Sequence, residues 1–171
     1  MAGAALRWNG PKKMLGNQEI DLRQVCAADD AFLFALFRSS RETEFASLPQ
    51  GQREILLSLQ YRAQSRDYAG RFPHSESFIV EFCGQAAGRL LLNREAHEVR
   101  VVDIAVLPEV RRKGIATTVL KSLLAEAEAA GVAVRLSVWH SNPALGLYLR
   151  LGFCETARTA TYLELEWRSG P

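Results

Sequence analysis

A single mixed α/β domain is what the sequence predicts, and three observations carry the prediction. The 171 residues match the common size of one domain and suffice to bury a core without disulfides or metal. Apolar residues alternate with period two in several short runs and recur at helical spacing in others, giving the order β-α-α-β-β-β-α-β-α-β-β. One helix links two apolar strands, a crossover that makes the pair parallel and right-handed, whereas the other strands mostly follow one another at hairpin distance.

The elements follow in order. Residues 1–17, rich in Gly, Asn and Lys, read as a flexible lead-in, and residues 18–171 as the domain. EIDLRQV (residues 19–25) alternates and predicts a strand. Asp29 and Asp30 stand at the start of an apolar-rich helix, AFLFALFRSS, where acids suit the helix dipole. Residues 49–66 carry Ile55, Leu56, Leu59 and Ala63 at helical spacing and predict a second helix. Residues 71–77 read as a loop. Two strands, 77–82 and 86–93, flank Cys83-Gly84-Gln85, a connection short enough for a hairpin. A third strand, 98–106, begins alternating and ends nearly all apolar, as a central strand does. Ile115, Val119, Leu120, Leu123, Leu124 and Ala127 mark one face of a long helix that stops at Gly131. Val132, Val134, Leu136 and Val138 alternate as a strand. Residues 143–151 form a short helix closed by Gly152, and residues 153–154 and 161–167 give two last strands.

Composition narrows the function classes. Hydrophobic residues make up 48% and charged residues 23%, with a formal net charge of +2, which argues against nucleic acid as a partner. Cys26, Cys83 and Cys154 are odd in number, without zinc or CxxC spacing, and read as buried small hydrophobes in a reducing compartment. No metal site is expected. No apolar run approaches the roughly 20 residues that span a bilayer, and the N-terminus lacks the apolar core of a signal peptide. A cytoplasmic protein without a membrane partner is the expectation.

The local charge signal is RRKGIA, Arg111 to Ala116, placed where a strand ends and the long helix begins. A helix start exposes unpaired N–H groups and partial positive charge, so Arg111, Arg112 and Lys113 oppose the dipole unless an anion sits among them. Gly114 lets an anion reach the backbone, and Ala116 keeps the next turn small. The stretch reads as a diphosphate cradle or as a solvated basic turn. It is neither a P-loop nor a GxGxxG dinucleotide site.

Arg111-x-x-Gly114-x-Ala116, followed by Asn142-Pro143-Ala144, Leu147-Tyr148 and Leu151-Gly152-Phe153, resembles the two signature blocks of the GNAT superfamily of acyl-coenzyme A-dependent N-acetyltransferases. The likeness covers roughly residues 98–155. It implies a central mixed, mostly antiparallel sheet with a splayed parallel strand pair and flanking helices. It implies acetyl-coenzyme A as donor, with the pyrophosphate on the amides of Arg111, Arg112, Lys113, Gly114, Ile115 and Ala116. The pantetheine would run along Ile104, Ala105 and Val106, pairing as an added strand does. Pro108 follows that strand end and cannot donate to a ladder. Tyr148 would protonate the departing thiolate, and Asn142 would lie beside the donor. Tyr148 otherwise reads as a core aromatic, and Asn142 before Pro143 as a helix cap. Relatives of this kind are often dimers, so a homodimer is implied.

The base is open. A lysine-like amine is neutral about one time in 2,500 at pH 7, a deficit near 4.6 kcal/mol, whereas an α-amine lacks only about 1 kcal/mol. Some members of the superfamily place a glutamate five residues before the Asn block; here that position is Ser137. Asp103 is the leading candidate, a lone acid in an apolar strand on the face opposite Ile104 and Val106, and it reads equally as a structural hydrogen-bonding residue. Glu81, Glu98, His74 and His140 are the others. For the acceptor, the first two helices supply Phe45, Tyr61, Tyr68, Phe72 and His74, with Trp139 and His140 opposite. Arg53, Arg62 and Arg66 read as a solvated face. Small amines, amino acids, aminoglycosides, and protein N-termini or lysines all fit, and a catalytically weak acyl-coenzyme A-binding regulatory module is the alternative to an enzyme.

Overall fold

The computed structural model describes residues 13–42 and 44–170. The lead-in expected over 1–17 lies, for residues 1–12, outside the described residues. Its last part is ordered into a strand, β1 (Lys13–Leu15), paired antiparallel with β2 (Gln18–Gln24). Then come α1 (Asp30–Arg41), α2 (Gln50–Arg71), β3 (Glu76–Phe82), β4 (Gln85–Arg94), β5 (Glu98–Val106), α3 (Ile115–Ala130), β6 (Ala133–Trp139), α4 (Leu145–Arg150), β7 (Cys154–Arg158) and β8 (Tyr162–Trp167). The eight strands form one sheet in the order β1-β2-β3-β4-β5-β6-β8-β7. Only β5 and β6, the pair joined by α3, run parallel. The β3–β4 hairpin has a two-residue turn, Cys83-Gly84, with both φ angles positive (52° and 74°), matching the twist of the strands it joins.

Strand alternation sends the sheet's side chains to two faces. Phe78, Val80, Leu90, Leu92, Val99, Val101, Val134 and Leu136 meet Val119, Leu120, Leu123 and Ala127 of α3 in the main core. Each fully buried leucine there stabilises the fold by about 2 kcal/mol. The predicted α3 face is the one buried, and Gly131 ends the helix in the left-handed conformation, φ 65°, its N–H donating to Ala127 and Glu128 carbonyls. On the other face Ile79 and Leu91 are buried, together with Leu33, Leu36 and Phe37 of α1 and Leu57 of α2. Tyr61 of α2 packs between Phe34 and Phe37.

The apolar residues of α2 are not where its helical spacing alone would put them, and the burial expected of the cysteines is corrected. Ile55 and Leu59 are 62% and 57% exposed, and Leu56 and Ala63 are exposed with them. α2 turns the opposite side inward, because Leu57, Tyr61 and Tyr68 offer a larger apolar surface to α1 and the sheet. Cys26, Cys83 and Cys154 are likewise exposed rather than buried: Cys83 sits on a hairpin tip and Cys154 on the edge strand β7. No helix among the described residues is long and apolar enough to cross a membrane.

Candidate functional site

The parallel pairing of β5 with β6 is short. It runs from Glu98↔Ala133 to Val101↔Leu136 and stops. Beyond that point β5 stays with β4 as far as Val106, and β6 stays with β8 as far as Trp139, but the two no longer pair. The sheet is split there, and the backbone groups of residues 103–106 that face β6 have no ladder partner among the described residues. This is the splayed pair the sequence implied. Gly88 keeps β4 tight against the freed segment: a Cβ there would lie 2.3 Å from the Ala105 carbonyl oxygen.

A bulge determines what lines the split. The β4–β5 register shifts between Leu91 and Leu92, so Leu92 faces Val101, Leu91 faces Asp103, and Val102 is the extra residue. Bulges re-aim the side chains that follow them. Val101 faces the α3 core, yet Asp103, two residues on, shares the α1–α2 face with Leu91. Ile104 and Val106 pack against the α3 core.

The basic turn lies beyond the strand end. Pro108–Val110 makes one 3-10 turn, Arg112 and Gly114 take positive φ (60° and 83°), and α3 starts at Ile115, whose side chain is anchored in the core. The amides of Arg112, Lys113 and Gly114 have no acceptor among the described residues, and those of Ile115 and Ala116 belong to a first helical turn, which has none within the helix. The cations point different ways. Arg111 Nε donates to the Val106 carbonyl at 2.9 Å, Lys113 Nζ lies 5.6 Å from the centre of the Phe82 ring, and Arg112 is exposed. Gly114 answers to its backbone conformation and to Leu15, whose side chain would lie 3.3 Å from a Cβ.

Tyr148 sits on α4, 6% exposed, edge-on to Phe153 with ring centroids 5.8 Å apart. Its hydroxyl has no hydrogen-bond partner among the described residues and is not sealed from solvent. Burial, and then the charge of Asp103, push its pKa up to about 12. Asn142 Oδ1 accepts the Ala144 N–H at 2.8 Å, so this side chain caps the turn that launches α4.

Asp103 lies 3.7 Å from Arg89 of β4, with its side chain about a quarter exposed. Its carboxyl pKa is raised by burial, against the pull of Arg89 and Arg41. The Arg89 guanidinium stands 5.9 Å from the Tyr68 ring centre. Tyr68 is pushed up to about 12 by burial and by Asp103. Asp103 therefore works on both tyrosines, one on each side of the split sheet. Arg89 was missed in the sequence, although a lone arginine in the run AAGRLLL is the same kind of signal as the lone acid in VVDIAV.

The other candidate bases are occupied or remote. Glu81 is paired with Arg23 and Glu98 with Arg135, each at about 2.7 Å or less. His140 Nε2 meets the Thr159 carbonyl at 2.9 Å, and His74 lies exposed before β3. Ser137 donates to Glu164 and accepts from Arg100 on the charged outer face of β6 and β8. Trp139 packs against Tyr162, ring centroids 4.7 Å apart and planes tilted by 54°, beside the open end of β6 and is half exposed.

Residues 35–153 match the acetyltransferase (GNAT) family. No curated protein matches the sequence. Among solved structures, the chain is similar to the PaiA N-acetyltransferase of Thermoplasma acidophilum in complex with coenzyme A (17% identity, TM-score 0.67, covering 88% of this chain and 99% of that one). It is also similar to the ribosomal-protein-S18-alanine N-acetyltransferase of Escherichia coli (18%, 0.59, 87% and 93%) and the spermidine N-acetyltransferase of Vibrio cholerae (20%, 0.59, 87% and 93%). At these identities the likeness is one of fold, and the family rests on the sequence match over most of the chain: it belongs to the GNAT acetyltransferases.

Proposed function

We propose that this protein transfers an acetyl group from acetyl-coenzyme A to a primary amine by direct attack in a ternary complex. The observation that carries the reading is the split sheet, with unpaired β5 backbone at its lip, the Tyr148 hydroxyl on one side and the Asp103 carboxyl on the other.

The residues present fit the donor. Ile104 and Val106 would pair with its extended amide arm through the backbone groups that face away from β4, Val106 by its N–H because Arg111 holds its carbonyl, with Ala105 alongside. The amides from Arg112 to Ala116, with the exposed Arg112 guanidinium, would hold its diphosphate. Arg111 and Lys113 shape the turn through Val106 and Phe82. Asn142 fixes the start of α4 and with it Tyr148. Acetyl-coenzyme A supplies the activated acetyl group and a thiol leaving group. Tyr148 stays protonated to high pH and gives its proton to the departing sulfur. Asp103, its pKa raised toward that of a working base, takes the proton released by the amine.

The test has two parts. Saturating acetyl-coenzyme A at about 100 times its Kd should stabilise the fold by about 2.7 kcal/mol, and thiol release should follow when an amine panel is added. Stabilisation without thiol release from any amine would favour the regulatory binding module. No stabilisation at millimolar donor would refute both.

A further inference from the structure

We propose that the acceptor amine carries a carboxylate a few bonds away, and that Arg89 is the residue that recognises it; this rests on the acetyl-transfer reading above. Arg89 projects from β4 onto the α1–α2 face, opposite Ala105 of the freed β5 segment and next to Asp103. Its side chain is only 16% exposed. Among the described residues it makes one hydrogen bond, from Nε to Ser77 Oγ at 3.3 Å. Nη1 stands 3.7 Å from Asp103 Oδ2, beyond hydrogen-bonding reach. Nη1 and Nη2 have no acceptor among the described residues, and neither is sealed from solvent.

Arg94, five residues further along the same strand, shows what such a guanidinium does when its role is structural. It is 14% exposed, spends Nη1 and Nη2 on the two oxygens of Glu126 at 2.7 and 3.2 Å, and spends Nε on Glu76 at 3.1 Å. Arg89 is as buried, and its fork is unspent. A planar pair of N–H groups left open beside the reaction site matches a carboxylate in a bidentate contact.

The charges around the site leave Arg89 as the open cation. Asp103 faces Arg89 and Arg41, and Arg41 is itself paired with Glu44 at 3.7 Å. An amine with an attached carboxylate places its nitrogen at Asp103 and its anion on Arg89, and the 3.7 Å between those two groups limits the link to a few bonds. A free amino acid and a peptide N-terminus with an acidic side chain beside it share this chemistry.

Thiol release by the full chain at saturating acetyl-coenzyme A tests the proposal. The acceptors are α- and β-amino acids, each against its carboxamide; Gly-Asp against Gly-Asn peptides; and a linear polyamine. We expect kcat/KM at least tenfold higher for the acid of a pair. The carboxamide has the less basic amine, so this preference runs against intrinsic reactivity. Whichever pair shows the larger ratio identifies the source of the carboxylate. Arg89→Gln should raise the acceptor KM at least tenfold, leave the KM for acetyl-coenzyme A unchanged and bring the acid-to-amide ratio near one; Arg89→Lys should keep part of it. Equal use of acid and amide by the wild type, or a preference for the polyamine, overturns the proposal, and this comparison stands even if Arg89→Gln does not fold. In that outcome thiol release still supports acetyl transfer, whereas a protein that acetyl-coenzyme A does not stabilise refutes the underlying reading instead.

Discussion

Tyr148→Phe removes one oxygen and separates chemistry from packing. The ring is 6% exposed and packs on Phe153, and the hydroxyl makes no hydrogen bond among the described residues. Phenylalanine keeps every ring contact, so the melting temperature should move by no more than about 2 °C, a stability change of about 0.5 kcal/mol. The chemistry should suffer far more. With Tyr148 pushed up to about 12, protonating a solvated thiolate of pKa about 8.5 would be uphill by roughly 5 kcal/mol. A sulfur leaving into the same apolar surroundings is raised by the same burial, which returns the gap to about 1.5 pH units, roughly 2 kcal/mol. An acid so placed contributes about a hundredfold or more to turnover. Steady-state thiol release should therefore fall about 10²-fold, with donor-induced stabilisation retained. The wild type should show no alkaline loss of kcat from this group below about pH 11, because the tyrosine holds its proton until pH approaches its raised pKa. Turnover within threefold of wild type, or a drop of 5 °C in melting temperature, would refute the assignment.

Three more outcomes follow from the geometry. Gly114→Ala puts a Cβ at φ 83° and 3.3 Å from the Leu15 side chain; it should cost about 1 kcal/mol and weaken donor binding, read by thermal melts with and without acetyl-coenzyme A. Asn142→Ala leaves the Ala144 N–H without its cap and should cost about 1 kcal/mol and lower kcat by displacing α4, whereas Asn142→Asp should keep the stability. Asp29 is held well below the usual carboxylate range, first by hydrogen bonds from Arg23 and then by the Cys26 N–H. A depressed pKa adds stability above the ordinary value near 4 and loses it as pH falls further. Acid melts of Asp29→Asn should accordingly lie below wild type at neutral pH and approach it only as pH falls well below about 4.

The parts of the fold that follow one period were legible. The α3 stripe from Ile115 to Ala127 and the alternation through Val134 and Val138 each allow a single answer, and RRKGIA leads into the first of them with its glycine at the turn. α2 was not legible, because Ile55, Leu56, Leu57 and Leu59 put leucines and isoleucine on both sides of the helix. Its orientation was decided by Tyr61 and Tyr68, which find α1 and Arg89 only in three dimensions. Asp103 was placed on the correct face from Ile104 and Val106, but the extra residue Val102 that puts it there leaves no mark in the composition of an apolar strand. Arg89 escaped notice because its meaning lies in the acceptor it lacks, and a sequence records no unspent donors.

The split between β5 and β6 gives this sheet an edge in its interior as well as two at its rims, and any unpaired edge invites another chain to add itself. The outer edge at β7 is blunted by the Glu155–Arg158 ion pair and by the register shift around Thr156. The inner edge has its own guards: Pro108 cannot donate to an incoming strand, and Arg111 already occupies the Val106 carbonyl at its open end. A foreign strand would have to displace that guanidinium before it could zip inward. Arg111 thus also protects solubility, and its loss should show first as self-association of the donor-free protein on concentration.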